Sequence, residues 1–293
     1  MPTGRNAGWI DPGSTPDSIR GGGRRAAGAS SKRNPICAVR RRGVSGLAVA
    51  VAASIVLSAA QAREPGRMFL TPELQAMEAD DGTNPGMLWV EQGTKLWETP
   101  DGSQGRSCAS CHGAAASAMT GAAARYPAYD AQAGSLLNLE LRINRCRTER
   151  MGAAPLAYES NELLALTAYV AHRSRGLPMD VRIDGPAAAA FAAGETFFHR
   201  RQGQLNLACS QCHDDNVGKR LRGDRISHGL GIGYPVYRLE WQTLGSLHRR
   251  LRACALGVRA HRFESGSPEY VNLELYLAWR ARGLPIETPG VRR

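Results

Sequence analysis

The sequence predicts an all-α fold built from two similar halves. Residues recur 101 positions apart with the same spacing in both copies: Gly93, Trp97 and Cys108 in the first, and Gly194, Phe198 and Cys209 in the second. Residues 162–178 (ELLALTAYVAHRSRGLP) likewise match residues 269–285 (EYVNLELYLAWRARGLP). Both segments place apolar residues at helical spacing and end on a Gly-Leu-Pro helix stop. Strand signals are sparse, so helices account for the repeated pattern.

Each copy contains a leading helix, a CxxCH motif, a variable segment, a lone cysteine and a trailing helix. This order predicts two domains, residues 69–180 and residues 186–293. The segment between them, residues 178–190 (PMDVRIDGPAAAA), is the predicted linker. Pro186 is expected to begin the leading helix of the second domain, because proline is favoured at the first helical position.

Residues 1–62 have the pattern of an export signal. A basic stretch, residues 39–43, precedes the uninterrupted apolar run 44–60 and the small-residue site Ala-Gln-Ala at 60–62. The alternative is a retained membrane anchor, since the apolar run approaches the length needed to span a bilayer. The small residues favour cleavage, which predicts a periplasmic protein without a stable membrane anchor. Cys37 would be removed with this segment, whose first 32 residues are either a long leader or an upstream start-site artefact.

The basic charge is concentrated in this N-terminal segment. The formal net charge is +11, yet nine of the 37 basic residues and only two of the 26 acidic residues precede residue 63. The remaining chain is nearly balanced. A nucleic-acid-binding surface is therefore not indicated.

The two CxxCH motifs predict covalent attachment of two c-type haems. Their thiols, Cys108 and Cys111 in the first half and Cys209 and Cys212 in the second, would bond the porphyrin vinyl groups. The adjacent histidines, His112 and His213, would be the proximal iron ligands. A thioredoxin-like redox pair or half of a zinc site are the alternatives for a single motif. Repetition after a helix in an exported chain favours haem.

The second axial ligands are inferred by elimination. All seven methionines precede residue 180, so the second half has none. No histidines other than those of CxxCH occupy matching positions, whereas Cys146 and Cys254 do. A disulfide between these two cysteines is the alternative, since an oxidising compartment would favour it. Their equivalent positions favour one thiolate ligand for each haem, and a thiolate stabilises ferric iron and lowers the reduction potential.

Helix pairs around CxxCH resemble the crossing terminal helices of cytochrome c domains. With its two CxxCH motifs and two lone cysteines, the chain from residue 68 to 293 resembles the SoxA family of dihaem cytochromes. The most specific segment is residues 250–285, RLRACALGVRAHRFESGSPEYVNLELYLAWRARGLP, and residues 213–229 are also similar. The resemblance implies two tandem cytochrome c-like domains, of which the second is catalytic.

The resemblance also implies a reaction and partners. Members of the family pair with the monohaem cytochrome SoxX and couple thiosulfate to a cysteine of the carrier protein SoxYZ, which releases two electrons. Carried over to this chain, Cys254 would be the active-site cysteine, found as a persulfide in the family. Arg250 matches an active-site arginine, and Arg222 is the candidate for a second. Cationic groups are needed because the reaction joins two anionic sulfurs.

Two other functions remain open at this level. A dihaem electron-transfer cytochrome would need no chemistry of its own, and it predicts His/Met or His/His haems. A dihaem peroxidase needs an open or displaceable iron ligand. The missing methionines and the arginines around Cys254 favour thiosulfate conjugation over both.

Overall fold

The computed structural model describes residues 62–293. The predicted export signal, including Cys37, lies outside these described residues except for Ala62. Within the described part of the chain, no helix is long and apolar enough to cross a membrane.

Ten α-helices provide most of the regular structure in the described residues, and they confirm the prediction of a mainly helical chain. Their bounds in chain order are α1 Pro72–Ala79, α2 Met87–Glu98, α3 Cys108–His112, α4 Ala115–Ala118, α5 Leu139–Cys146, α6 Asn161–His172, α7 Ala188–His199, α8 Cys209–His213, α9 Leu247–Gly257 and α10 Pro268–Arg280. The chain enters the leading helix of the second half through a short 3₁₀ turn, Gly185–Ala187, which contains Pro186.

The leading and trailing helices of each half cross at a glycine. A Cβ atom added to Gly93 in α2 would meet the Ala165 carbonyl and lie 2.6 Å from the Tyr169 Cβ in α6. At the equivalent position in α7, a Cβ atom on Gly194 would meet the Asn272 carbonyl in α10. Glycine at both crossings therefore allows the two backbones to approach closely. The repeated glycines found in the sequence are thus packing residues.

The expectation of a strictly all-α fold is corrected by short strands. Seven strands of two or three residues lie in the described region: β1 Ala128–Asp130, β2 Ser135–Leu137, β3 Arg220–Leu221, β4 Asp224–Arg225, β5 Val236–Arg238, β6 Thr243–Gly245 and β7 Gly290–Arg292. β1 pairs with β2, β3 with β4 and β5 with β6, all antiparallel, and β7 adds to β5 in parallel. Segments this short give no measurable period-two alternation, so the sequence pattern could not reveal them.

The two halves share their hydrophobic packing. Tyr237 and Leu244 of the second half pack in one buried cluster with Val90 and Leu164 of the first. The segments that follow the two trailing helices also bond to each other, because the Met179 N–H donates to the Leu284 carbonyl at 2.9 Å. The predicted division into domains at 69–180 and 186–293 stays a prediction, while the described residues pack around a common core.

Strand β7 holds the first helix through a buried ion-pair cluster. Arg292 pairs with Glu78 of α1 and, at 2.8 Å, with Glu287. The Val291 N–H donates to Glu78 Oε2 at 2.8 Å. Both carboxylates are almost fully buried, so Arg292 neutralises charge that would otherwise be costly to bury.

Candidate functional site

The lone cysteines lie at equivalent positions on two helices that start in the same way. α5 is capped by Asn138, whose side chain accepts from the Leu141 N–H, and α9 is capped by Ser246. Cys146 is the last residue of α5, and Cys254 lies on the last turn of α9. Each helix follows a short hairpin, so the same local structure presents each cysteine.

A further repeat marks these hairpins and was missed in the sequence. Tyr126-Pro127 precedes β1, and Tyr234-Pro235 precedes β5, at the same 108-residue offset as the lone cysteines. Comparing the segments upstream of Cys146 and Cys254 at that offset would have found it. The tyrosines are of interest because both line the same internal cavity.

Each lone cysteine lies within electrostatic range of its own CxxCH motif. Burial raises the pKa of the Cys209 thiol to about 12, and the next cause is the charge of Cys254. Burial and Cys254 likewise raise the pKa of Cys212. In the first half, burial and then Cys146 raise the pKa of Cys108. The fold therefore brings together the groups that the repeat predicted to share a haem.

The disulfide alternative is not formed in this structure. Cys146 and Cys254 are both free, as are the four CxxCH cysteines. Cys254 is exposed, whereas Cys146 is half-buried.

His213 of the second CxxCH motif is held in a tautomer that suits an iron ligand. His213 Nδ1 lies 2.7 Å from the Ser227 carbonyl oxygen. A carbonyl can only accept, so the proton is on Nδ1 and Nε2 keeps its lone pair. Burial lowers the pKa of His213, which further favours the neutral ring. In metal-binding histidines, the ring nitrogen that does not bind the metal typically donates a hydrogen bond that fixes the tautomer.

The first CxxCH motif is also compatible with haem attachment, although fewer contacts fix its histidine. Ser107 and Ser110 form a reciprocal cap at the start of α3, which orders the helix that carries Cys108 and Cys111. His112 is exposed, and its ring centroid lies 5.8 Å from that of Trp97. Trp97 in turn donates from Nε1 to the Gly113 carbonyl at 3.0 Å. These contacts hold the motif against α2.

Two arginines and a tyrosine surround the Cys254 side of α9. Arg250 is half-buried, and its pKa is raised mainly by the charge of Cys254. Arg238 on β5 is only 6% exposed, and its Nε is buried without a hydrogen-bond partner. Burial and the charge of Arg250 lower the pKa of Arg238, and Arg250 also acts on the buried phenol of Tyr234. The group is a cationic environment suited to an anion.

Arg238 was missed by sequence reasoning. It lies 16 residues before Cys254, outside the basic segment that drew attention to Arg250. It forms only long ion pairs with carboxylates, since Asp224 lies 3.8 Å away and Glu240 3.9 Å away. Only the pairing of β5 places it near α9. No single-sequence signal would have distinguished it from a surface arginine.

Arg222 lies in a different setting. It is exposed and adopts a φ of 58° in the turn between β3 and β4. No hydrogen bond or ion pair joins the Arg222 side chain to another described residue. Its predicted role beside Cys254 remains a prediction that the site geometry does not support by any contact.

Comparison with known proteins places this arrangement in a family. Residues 92–179 match the family model described as SoxA/TsdA, cytochrome c domain. The L-cysteine S-thiosulfotransferase subunit SoxA of Pseudaminobacter salicylatoxidans is 43% identical over 78% of this chain and 80% of its own length. The chain belongs to the SoxA family. SoxA of Rhodovulum sulfidophilum is also 43% identical, over 78% of this chain and 79% of its own length.

A solved structure supports the same assignment. The crystal structure of SoxXA from P. pantotrophus matches with a TM-score of 0.76 and 36% identity, covering 79% of this chain and 87% of that chain. The cytochrome c domain of this family member implies covalently bound haem c. The donor set fits that group, because His213 presents a free Nε2 and each CxxCH motif lies beside a free thiol.

Proposed function

We propose that this member of the SoxA family is the dihaem subunit of a periplasmic L-cysteine S-thiosulfotransferase. The reaction joins the cysteine thiolate of a SoxYZ carrier protein to thiosulfate and gives a cysteine S-thiosulfonate and two electrons. One sulfur–sulfur bond forms, the two sulfurs are oxidised together, and both electrons pass to the enzyme. The proposal follows from family membership and from the chemistry around Cys254.

The observation that carries the proposal is the cationic setting of the Cys254 thiol. The guanidinium of Arg250 lies one turn before Cys254 on the same helix. The buried guanidinium of Arg238 adds a second positive charge in range of Arg250. Two anionic sulfurs repel each other, and fixed positive charges offset this repulsion as they approach. Arg250 would hold the thiosulfate, with Arg238 as a further counter-charge.

The remaining predicted residues would hold two haems. The attachment cysteines are Cys108, Cys111, Cys209 and Cys212. His112 and Cys146 would ligate the first iron, and His213 and Cys254 the second. When bound, haem supplies an acceptor for single electrons. Cys254 is expected to carry an added sulfur as a persulfide, which makes its sulfur the reacting atom.

The proposed partners follow from the same relatives. The matched crystal structure is of a SoxXA complex, so we expect a heterodimer with the monohaem cytochrome SoxX. SoxYZ and thiosulfate are the expected substrates. The export signal in residues 1–62 supports a periplasmic location.

Mass spectrometry of the intact holoprotein with thiosulfate conjugation assays tests this proposal. We expect this subunit, taken from its complex with SoxX, to carry the mass of two haems plus one sulfur. Cys254→Ala should lose the added sulfur and the conjugation activity, whereas Cys146→Ala should retain the added sulfur. A Cys254→Ala complex that still conjugates thiosulfate at the wild-type rate would contradict the role of Cys254, whereas a wild-type complex that transfers electrons without conjugating thiosulfate would show instead an electron-transfer cytochrome.

A further inference from the structure

The loop from Asp214 to His228, which follows the second CxxCH motif, is held at both ends by one buried arginine. Arg280, the last residue of α10, forms a two-point ion pair with Asp214, with N–O distances of 2.6 Å and 3.2 Å. Its Nη2 also donates to the His228 carbonyl at 3.4 Å. Asp214 directly follows His213 of the motif, and His228 directly follows Ser227. Arg280 thus joins the two ends of this loop.

The guanidinium of Arg280 is itself fixed in place. The Arg280 side chain is only 1% exposed, and its guanidinium carbon lies 4.2 Å from the centroid of the Phe198 ring in α7. Phe198 is fully buried. A planar guanidinium held in this way presents its donors in fixed directions, which a flexible ammonium group does not reproduce. The loop is therefore bound to the packed pair of helices α7 and α10.

The far end of the loop encloses the imidazole ring of His213. The Ser227 carbonyl oxygen accepts from His213 Nδ1 at 2.7 Å. Two residues later, Gly229 has a φ of 68°, and a Cβ atom added there would lie 2.7 Å from His213 Cγ. Glycine at this position allows the backbone to approach the ring closely. The segment 227–229 therefore contacts the ring through both a hydrogen bond and close packing, and Arg280 binds the carbonyl at its centre.

The first half of the chain has the arginine without these partners. Arg173 occupies the position of Arg280 in the repeated trailing helix, and its guanidinium carbon lies 4.9 Å from the centroid of the Tyr169 ring. Gly113 follows the first CxxCH motif where Asp214 follows the second. Gly113 has a φ of 69°, a conformation that favours glycine over aspartate. Within the part of the chain that the structure describes, no carboxylate pairs with Arg173, so the two motif histidines are not held alike.

We propose that Arg280 is a positioning residue for His213. By joining Asp214 to the His228 carbonyl, it holds the segment 227–229 against the imidazole ring and so fixes the orientation and the tautomer of that ring. The hydrogen bond from Nδ1 leaves the lone pair on Nε2, which is the form that an iron ligand needs. The contacts of Arg280 stand by themselves, whereas the ligand role of His213 rests on the proposed function.

Hydrogen exchange of the holoprotein, read by mass spectrometry, tests the hold on the loop. Arg280→Lys keeps the positive charge and removes the two-point geometry. Because charge-assisted hydrogen bonds to the loop are lost, amide exchange in residues 214–229 should rise by about tenfold or more. Arg173→Lys, at the equivalent position of the first half, is the matched control and should leave exchange in this loop unchanged.

A second variant removes the same contact from the other side. Asp214→Asn keeps the shape of the side chain and removes its charge, so exchange in residues 214–229 should again rise. The Asp214 side chain is 34% exposed, so asparagine there can be solvated, and this variant gives the comparison even where a buried lysine at position 280 unfolds the protein. Combining the two changes should add little to either alone, because both act through one contact.

Electron paramagnetic resonance of the oxidised holoprotein tests the effect on His213. The signal of the second haem is identified as the one that changes in Cys254→Ala. Since a hydrogen-bond partner orients a ligating histidine and tunes its metal, Arg280→Lys and Asp214→Asn should shift the g values of this signal and broaden it. The signal of the first haem should stay unchanged in both variants. Arg173→Lys should leave the signal of the second haem unchanged.

Three outcomes would overturn the positioning role of Arg280. They are unchanged exchange in residues 214–229, an unchanged signal of the second haem despite faster exchange, and equal shifts in both haem signals, which would show a general loss of packing. If the wild type does not conjugate thiosulfate while exchange and signals behave as expected, the positioning role stands and the assigned reaction fails. If the wild type conjugates thiosulfate and Arg280→Lys changes neither measurement, the reaction stands and the positioning role fails.

Discussion

Arg250 and Cys254 lie four residues apart on α9, and the charge of the cysteine is the largest cause of the raised pKa of the arginine. Residues at this spacing share one face of a helix. Arg250 is therefore placed beside the thiol that the family resemblance predicts to be the active-site cysteine.

Replacing Arg250 with glutamine should weaken thiosulfate use. A lost charge-assisted hydrogen bond is worth about 1.5–3 kcal/mol, which corresponds to about a 10- to 100-fold rise in KM. Steady-state conjugation assays measure this change. Arg249→Gln is the matched control, because Arg249 is the preceding arginine on α9 and stacks 4.3 Å from the Trp241 ring. Equal effects of both changes would remove the specific role of Arg250.

Substituting Arg238 and Arg222 in parallel compares their contributions to the use of thiosulfate. We expect Arg238→Gln to raise the KM for thiosulfate by about tenfold, since it removes a buried charge near Arg250. Arg222→Gln should change KM by less than about twofold, because its side chain is exposed and makes no ion pair with a described residue. The reverse ranking would restore Arg222 as the second anion-binding arginine.

Replacing the glycine at the helix crossing of the second half should lower the stability of the fold. Gly194→Ala should lower the free energy of unfolding by about 2–3 kcal/mol, because its Cβ would overlap the Asn272 carbonyl. Gly257→Ala is the control, since a Cβ there meets nothing within 4 Å. It should be neutral or stabilise α9 by up to about 1 kcal/mol. Chemical denaturation of the two variants in parallel measures both values.

The ion-pair cluster of β7 predicts a pH-dependent loss of stability. Arg292→Met leaves Glu78 and Glu287 buried without their cation, which costs about 3–5 kcal/mol. Burial already raises the pKa of Glu287, and removal of Arg292 would raise it further. A carboxyl group whose pKa is higher in the folded than in the unfolded protein lowers stability as pH rises from the unfolded pKa through the folded one. The loss of unfolding free energy in Arg292→Met should therefore be larger at about pH 8 than at about pH 5. Arg293→Met, next to it but exposed, should show neither effect.

Glu140 on α5 gives a second pH dependence with the same sign. Burial raises its pKa well above the usual value, so the wild type loses stability as pH rises from the unfolded pKa through the folded one. Glu140→Gln keeps the shape of the side chain and cannot ionise, so its unfolding free energy should fall less above about pH 5. Thermal unfolding across pH measures the difference. A steeper fall in the variant than in the wild type would contradict a raised pKa of Glu140 in the folded protein.

The repeat predicted the parts of the fold that depend on spacing. Gly93 and Gly194 marked both helix crossings, and Cys146 and Cys254 marked equivalent positions that the structure brings near the CxxCH motifs. Spacing alone could not show how the halves meet. Tyr237 and Leu244 pack against Val90 and Leu164 from the other half, a contact that no local periodicity encodes.

The polar interior was the least predictable part of the molecule. Glu140 and His248 of α9 are both buried and occupy equivalent positions, but they differ in residue type, so the repeat did not reveal them as a pair. A buried carboxylate in a helix has the same local sequence pattern as an exposed one. Arg238 was missed for a related reason, because only the tertiary fold brings its charge within range of Arg250.

The contact between Glu78 and Arg292 joins residues 214 positions apart in the chain. Both CxxCH motifs lie inside the loop that this contact closes. Contacts at such long sequence separation form late and slowly, because the loop must first lose conformational entropy. The chain should therefore remain open at its first helix until β7 has been synthesised. Closure of α1 against β7 would then be a late step of folding that needs both halves of the chain.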